Sequence, residues 1–288
     1  MRNTFLILFI ILFSHSLRAQ MGTVLDNLSM HSDILDMDRA YAVYLPPDYE
    51  QSQRSYPVLY LLHGMGDDQT GWVQFGEVLH IADKAIKDGI ATPMIIVMPD
   101  ANTGRVGYFN DPKNKWRYED FFFDEFIPFI EDMYPIKGEK RYRAVAGLSM
   151  GGGGSFMYAL HHTEMFSSAC PLSAFIGPLS LEEAVGMFKR FGDDTDYSDS
   201  EIQTWYKKHS ALELIKDMDA KEVGSVRWFI DCGDDDFLYE GNSLAHIALR
   251  KKEIPHEFRI REGGHTWTYW RESLPVVLNF VSMAFHQH

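Results

Sequence analysis

The sequence predicts an α/β protein: a mainly parallel, eight-stranded sheet with helices on both faces. Three observations point there. Short apolar runs alternate with longer stretches of helical periodicity, the pattern of strand–helix–strand units. Val58-Leu59-Tyr60-Leu61-Leu62 is apolar throughout, as a strand buried on both faces requires. Ala144-Val145-Ala146-Gly147-Leu148-Ser149-Met150-Gly151-Gly152 ends a strand in a serine with glycine two residues before and two after, then runs into a helix.

Residues 1–20 stand apart. Arg2 opens them, residues 5–13 are an unbroken apolar run, and Leu17-Arg18-Ala19 precedes Gln20 as a cleavage site. This is the pattern of a secretory signal peptide. The run is short for a bilayer span, and no later stretch is long and apolar enough to cross a membrane. The expected location is therefore secreted or periplasmic, with no membrane contact after the leader is removed. Residues 21–288 show no linker, repeat or low-complexity tract, which predicts a single domain.

The formal net charge is −14, and the leader holds two of the cations, Arg2 and Arg18. A chain this acidic does not grip nucleic acid or anionic lipid by charge. It suits an enzyme for a neutral or weakly charged substrate. Oligomeric state is left open. Cys170 and Cys232 fall in apolar strand-like runs. They are expected to be buried free thiols, because adjacent parallel strands rarely bring Cβ atoms into bridging geometry. No metal site and no cofactor are expected.

Residues 23–35 and 39–45 read as strands at an antiparallel edge; Tyr41, Val43 and Leu45 alternate before Pro46-Pro47-Asp48. Strand 58–62 runs into His63-Gly64-Met65-Gly66. Residues 75–87 place Val78, Leu79, Ala82 and Ile86 on one helical face. Strand 94–98 stops at Pro99-Asp100. Residues 116–134 carry Phe122, Phe126, Phe129, Ile130 and Met133 at helical spacing. Residues 142–146 are the strand before the serine, and 155–162 belong to the helix after it. Strands follow at 168–172, 226–230 and 257–260, with helices at 242–252 and 266–285, the last interrupted by Pro275.

Residues 177–221 are longer than an ordinary crossover and hold Phe188, Phe191, Tyr197, Trp205 and Tyr206 among many acids. They read as a helical cap-like insertion over the active site. For residues 198–218, a plain crossover covering the sheet is the competing reading. The acidic loop Asp193-Asp194-Thr195-Asp196 lacks the glycine and terminal glutamate of a calcium loop and reads as solvated.

The chemistry follows from Ser149. A sharp strand-to-helix turn pushes its hydroxyl out of the sheet, and glycines at 147 and 151 clear the neighbouring backbone. The helix N-terminus beginning there favours negative charge. A serine needs a base, and the base an orienting acid, in the chain order Ser, acid, His. The loop after strand 226–230 offers Asp234, Asp235 and Asp236; Asp236, beyond the glycine turn, is the choice, and the other two remain rivals. Asp231, still in the strand, reads as structural. The base is His265, in Gly263-Gly264-His265-Thr266-Trp267 between the last strand and the final helix. The oxyanion donors expected are the N–H groups of Met150 and of Met65, with Gly64 the alternative to Met65. His63 reads as a loop anchor. Gly64, Trp267 and Tyr269 are candidate substrate contacts; ordinary packing of the final helix is the other reading of the two aromatics.

Leu61-Leu62-His63-Gly64, Gly147-Leu148-Ser149-Met150-Gly151-Gly152, Asp231-Cys232-Gly233 with Asp236, and Gly264-His265-Thr266-Trp267 with Trp270-Arg271 together resemble the esterase D-like family. That family includes feruloyl and acetyl-xylan esterases, S-formylglutathione hydrolases and mycolyltransferases. The resemblance runs from about Thr23 to the C-terminus and is strongest for the feruloyl-esterase branch, whose pattern Tyr118-Glu119 and Trp267 also resemble. It implies an α/β-hydrolase fold and a carboxylic-ester hydrolase, with Ser149 as nucleophile, Asp236 as acid, His265 as base, and Met65 and Met150 as oxyanion donors. The implied partner is an esterified oligosaccharide or small ester, most simply a feruloyl ester of plant cell wall. An acetyl-xylan or short-chain esterase, a thioesterase or acyltransferase, and a non-catalytic carbohydrate-binding protein are the alternatives. The export leader speaks against the thioester, and the complete set of three residues against the last.

Overall fold

The structure, a computed structural model, describes residues 21–102, 104, 107–191 and 197–286, with residues 190 and 191 by backbone alone. The leader 1–20 and the acidic loop 193–196 lie outside the described residues.

Eight strands form one sheet: β1 (Thr23–Ser32), β2 (Met37–Leu45), β3 (Val58–Leu62), β4 (Ile95–Pro99), β5 (Arg143–Leu148), β6 (Ser168–Leu172), β7 (Arg227–Gly233) and β8 (His256–Arg261). Their order is β1-β2-β4-β3-β5-β6-β7-β8, and β2 is antiparallel to both its neighbours while the rest pair in parallel. This is the α/β-hydrolase arrangement that the alternating pattern predicts.

Strand alternation sorts side chains into two cores. Val58, Tyr60 and Leu62 of β3 face one side, with Val97, Val145 and Trp228. Leu59 and Leu61 face the other, with Ile96, Ala146 and Phe229. Trp72 of α1 (Gly71–Gln74), the buried face of α2 (Val78–Lys87) and that of α11 (Trp267–His286) cover the second side. The first side carries α3 (Tyr118–Asp120), a π-helical segment (Phe121–Phe126), α4 (Ile127–Met133), α5 (Met150–His161), α6 (Leu181–Phe191), α7 (Asp199–His209), α8 (Ala211–Asp217), α9 (Ala220–Val223) and α10 (Tyr239–Lys251).

The run expected as one helix at 116–134 is thus broken into three pieces. The wide π turn lets Phe121, Phe122 and Phe126 all point inward at 0% exposure. Met133, expected on that face, ends the helix in solvent.

In the insertion, α7 starts with a capping box: Ser198 Oγ accepts from Glu201 N–H while the Glu201 carboxylate accepts from Ser198 N–H. Phe188 packs on both Tyr197 and Trp205, and Trp205 Nε1 donates to Asn110 O. Helix α8 lies against α5 and α10, covering the sheet.

A buried ionic knot fastens α7 to the body. Glu119 Oε1 accepts from His161 Nδ1 at 2.6 Å, and His161 Nε2 donates to Lys208 O at 2.6 Å. Both ring nitrogens donate, so His161 is an imidazolium. Burial opposes that charge, but Glu119 outweighs it and holds the His161 pKa above its ordinary value. Burial likewise pushes Glu119 up, and His161 and His162 more than reverse it, to about 2. His209, donating Nδ1–H to Trp205 O, is pushed down to about 4 by burial.

Candidate active site

Strand register assembles the site. Leu62 pairs with Gly147, Leu148 with Leu172, Leu172 with Asp231, and Gly233 with Arg261. The loops after β3, β5, β6, β7 and β8 therefore leave the sheet along one edge. The chain moves from β3 outward to β4, then returns to β5 on the other side of β3. Ser149 sits at that switch point.

Ser149 has φ 56° and ψ −116°, a conformation costly for any residue but glycine. The surroundings hold it there: Ser149 N–H donates to Leu172 O, and Ser149 O accepts from Gly153 and Phe175 N–H. The glycines have a steric reason. A Cβ at 147 would lie 2.4 Å from Gly151 O, and one at 151 would lie 2.5 Å from His63 O.

The loops carrying Asp236 and His265 are joined by backbone bonds, Asp234 N–H to Arg261 O and Asp235 N–H to Gly263 O. The Asp234 carboxylate adds a bond from Gly263 N–H at 3.0 Å. This brings His265 to Ser149: Nε2 lies 2.9 Å from Ser149 Oγ, and Nδ1 lies 2.9 Å from Asp236 Oδ2. The carboxylate can only accept, so Nδ1 carries the proton and Nε2 is left to accept from the serine hydroxyl.

Asp236 is 1% exposed. Burial pushes its carboxyl up, but His265, the Leu238 N–H at 2.8 Å and the Ser173 hydroxyl hold it below the ordinary carboxylate range. Asp234 and Asp235, its rivals in the sequence, are exposed. Asp231 stays in β7, buried, where it pairs with Arg261 Nη2 at 3.0 Å and accepts from the Tyr269 hydroxyl.

On the other side of the serine, Gly64 lies against Ser149: a Cβ at 64 would be 3.4 Å from Ser149 Cβ. His63 is buried; its Nδ1 donates to Gly64 O and its Nε2 accepts from Ala101 N–H, which pins the loop. The N–H groups of Met65 and Met150 have no intramolecular acceptor among the described residues. The Met65 side chain is exposed.

The two aromatic candidates separate. Trp267 is half-buried and packs on Trp72, Phe75 and Trp270. Tyr269, read from the sequence as a substrate contact, is instead 3% exposed, its hydroxyl spent on Asp231 and its ring under Arg261. The face of α11 that carries Trp270, Ser273 and Leu274 carries Tyr269 too. Two residues beside the site, Phe237 and Ser173, were not singled out in the sequence as parts of it, and Trp270 entered only through the motif around His265. Phe237, directly after Asp236, is 72% exposed yet packs on the His265 ring at 4.5 Å. Ser173 leaves β6 beside Asp236. Trp270 meets His265 edge-on.

A hydroxyl bonded to a neutral imidazole, itself oriented by a buried carboxylate, at a helix N-terminus, is equipped for acyl transfer. The likeness to known proteins agrees. Residues 32–281 match the family described as "Putative esterase". Esterase Rv1288 of Mycobacterium tuberculosis is 39% identical over 248 residues, 78% of this chain and 52% of that protein. The chain thus spans about half the length of that curated relative. An endo-1,4-beta-xylanase/feruloyl esterase of Xylanibacter ruminicola is 39% identical over 133 residues, 43% of this chain and 18% of that protein. Among solved structures, a ferulic acid esterase aligns with TM-score 0.80 at 36% identity, over 92% of this chain and 99% of that one. With the family match extending over nearly all of the sheet and its helices, the chain belongs to this esterase family.

Proposed function

We propose that the protein is an exported serine carboxylic-ester hydrolase that releases ferulate from esterified plant-wall oligosaccharides. The observation that carries the mechanism is the unbroken line Ser149–His265–Asp236, 2.9 Å at each link. In this reading Ser149 Oγ attacks the ester carbonyl while His265 Nε2 takes its proton. Asp236 holds the imidazole in the required tautomer and stabilises its positive form. The oxyanion is held by the N–H groups of Met65 and Met150. His265 then protonates the departing alcohol, leaving an acyl group on Ser149. Water, deprotonated by the same imidazole, hydrolyses that acyl-enzyme and restores the serine.

The feruloyl assignment is supported by the 36% identity to a ferulic acid esterase along almost the whole of both chains. The exposed ring of Phe237 beside His265 suits an aromatic acyl group. A short-chain acetyl esterase uses the same machinery and is the second reading. Kinetics on methyl ferulate, acetylated xylan, S-formylglutathione and p-nitrophenyl acetate separate them. The proposal expects kcat/KM for methyl ferulate to exceed that for acetylated xylan at least tenfold, a difference of about 1.4 kcal/mol in transition-state binding. Turnover of acetylated xylan with none of methyl ferulate refutes the feruloyl assignment. Export is tested by the N-terminal sequence of the protein recovered outside the cytoplasm, expected to begin near residue 20 or 21.

A further inference from the structure

β8 is an edge strand of the sheet. One bond fixes which way its backbone faces: Arg261 O accepts from Asp234 N–H, on the β7 side. In a parallel ladder a residue turns its N–H and its C=O to the same neighbour, and alternate residues turn theirs the other way. Glu257, Arg259 and Arg261 therefore bond β7, while His256, Phe258 and Ile260 point their backbone groups off the edge. The N–H and C=O groups of Phe258 and Ile260 have no partner among the described residues. Such an edge is a template for another strand. β1, the opposite edge, carries a bulge between Leu25 and Leu28, a device that blunts pairing. The β8 register runs unbroken from His256 to Arg261.

The side chains select the partner. Antiparallel pairing of β8 with β8 of a second copy, about a two-fold axis through Phe258, sets Glu257 opposite Arg259 of the second copy, twice, and Phe258 opposite itself. Opposite charges and paired aromatics are favourable cross-strand neighbours. Glu257 already accepts from Arg259 at 2.6 Å within the strand, so the pairing closes a ring of four alternating charges. An axis one residue further on sets Arg259 against Arg259 and is disfavoured. Ile260, 53% exposed, falls opposite His256 in the favoured register.

Helix α10 obeys the same axis. His246, near its middle, stacks on Phe258 with ring centroids 4.4 Å apart. A two-fold through Phe258 therefore runs α10 antiparallel to its copy about its midpoint. The first turn carries Glu240 and the last turn Arg250 and Lys251, all exposed. The acidic end of one helix thus falls on the side of the basic end of the other. Ile247, the residue after His246, is 44% exposed and adds apolar surface.

We infer that the protein is a two-fold homodimer in which β8 pairs with β8 of a second copy and joins the two sheets into one, with α10 beside α10. The occupant is a copy of this chain because a single axis satisfies the charges of strand and helix together. The ladder supplies register and hydrogen bonds, and the helices supply the area that a specific interface of about 1,000 Å² or more requires. The axis turns the carboxyl edges of the two sheets in opposite directions, so each Ser149 faces away from the other and works independently.

Sedimentation velocity of the purified protein over about 0.1–50 μM tests this, since dimer population follows protomer concentration. The expected species has the mass of two chains. Arg259→Glu alone, or Glu257→Arg alone, sets like charges opposite each other at both positions and raises the dimer dissociation constant at least about tenfold. The double variant Glu257→Arg/Arg259→Glu exchanges the two charges, faces each cation with an anion again and restores the dimer. With the axis at Arg259 the same double variant brings position 257 against Arg261 with like charge and restores nothing. Turnover of p-nitrophenyl acetate stays at the wild-type level in all three variants, which marks them as folded. A wild type of one-chain mass throughout the range, a dimer insensitive to both single exchanges, or a double variant that stays monomeric overturns the inference.

Discussion

Gly151→Ala adds one methyl group where the fold has no room for it. A Cβ at 151 lies 2.5 Å from His63 O and 2.6 Å from both C and O of Leu62, whereas ordinary contact begins near 3.4 Å. All three atoms are backbone, so no side chain can swing aside, and α5 must part from the end of β3 by about 0.9 Å, an overpacking that costs about 1–3 kcal/mol. For a domain of this size that lowers Tm by about 2–10 °C. The catalytic effect is larger. His63 begins the loop that carries the Met65 N–H, and α5 begins directly after Ser149, so the methyl group separates the proposed nucleophile from the proposed oxyanion donor directly. A misplacement of about 1 Å costs on the order of 10²-fold in rate. Steady-state hydrolysis of p-nitrophenyl acetate and thermal unfolding measure the two effects. Gly186→Ala in α6 is the matched control: outside its chain neighbours and its own helix backbone, no described residue has a heavy atom within 4 Å of a Cβ there. There the same methyl group raises stability by about 0.5–1 kcal/mol and leaves the rate on this small ester unchanged. Gly151→Ala with wild-type rate and wild-type Tm refutes the steric reasoning.

Asp236→Asn leaves the shape intact but presents His265 with an amide, which allows the wrong tautomer; kcat falls by about 10⁴-fold, while Asp235→Ala stays within about twofold. Equal losses in the two variants would return the choice of acid to the whole Asp234–Asp236 loop. The Glu119–His161 knot sets opposite pH slopes. Glu119, at about 2 in the fold against an ordinary 4.5, contributes about 3 kcal/mol that is present above pH 4.5 and lost as pH falls toward 2. His161, raised in the fold, contributes stability that is full below its ordinary 6.5 and is lost as pH rises through its higher folded value. Tm measured from pH 2.5 to 9 declines at both ends in the wild type, and Glu119→Gln flattens both slopes; parallel curves contradict this.

The site was legible in sequence wherever a backbone constraint leaves a residue signature. Glycines at 147 and 151 mark a turn that admits no Cβ, and chain order with strand ends located Asp236 and His265. The sheet was equally legible, because strands buried on both faces must be apolar throughout. What escaped depends on contacts between distant segments. Ser173 is a lone serine at a strand end, and its indole partner lies 97 residues away. Tyr269 looked like a pocket aromatic because it follows the catalytic loop. Its spacing from Ser273 and Val277 carried the signal of a buried helical face, and the charge that claims its hydroxyl, Asp231, is on another strand. The π turn at Phe121–Phe126 is likewise invisible to a 3.6-residue period, since its extra residue follows from three phenylalanines competing for one core.

The central claim is that Ser149 is the nucleophile, activated by His265. Incubation with a fluorophosphonate, followed by peptide mass spectrometry, tests it alongside the turnover of Ser149→Ala. The account predicts one adduct, on Ser149, and a variant that takes no adduct and loses more than about 10³-fold in kcat on both methyl ferulate and p-nitrophenyl acetate. An adduct on another residue, or wild-type turnover by the variant, contradicts it.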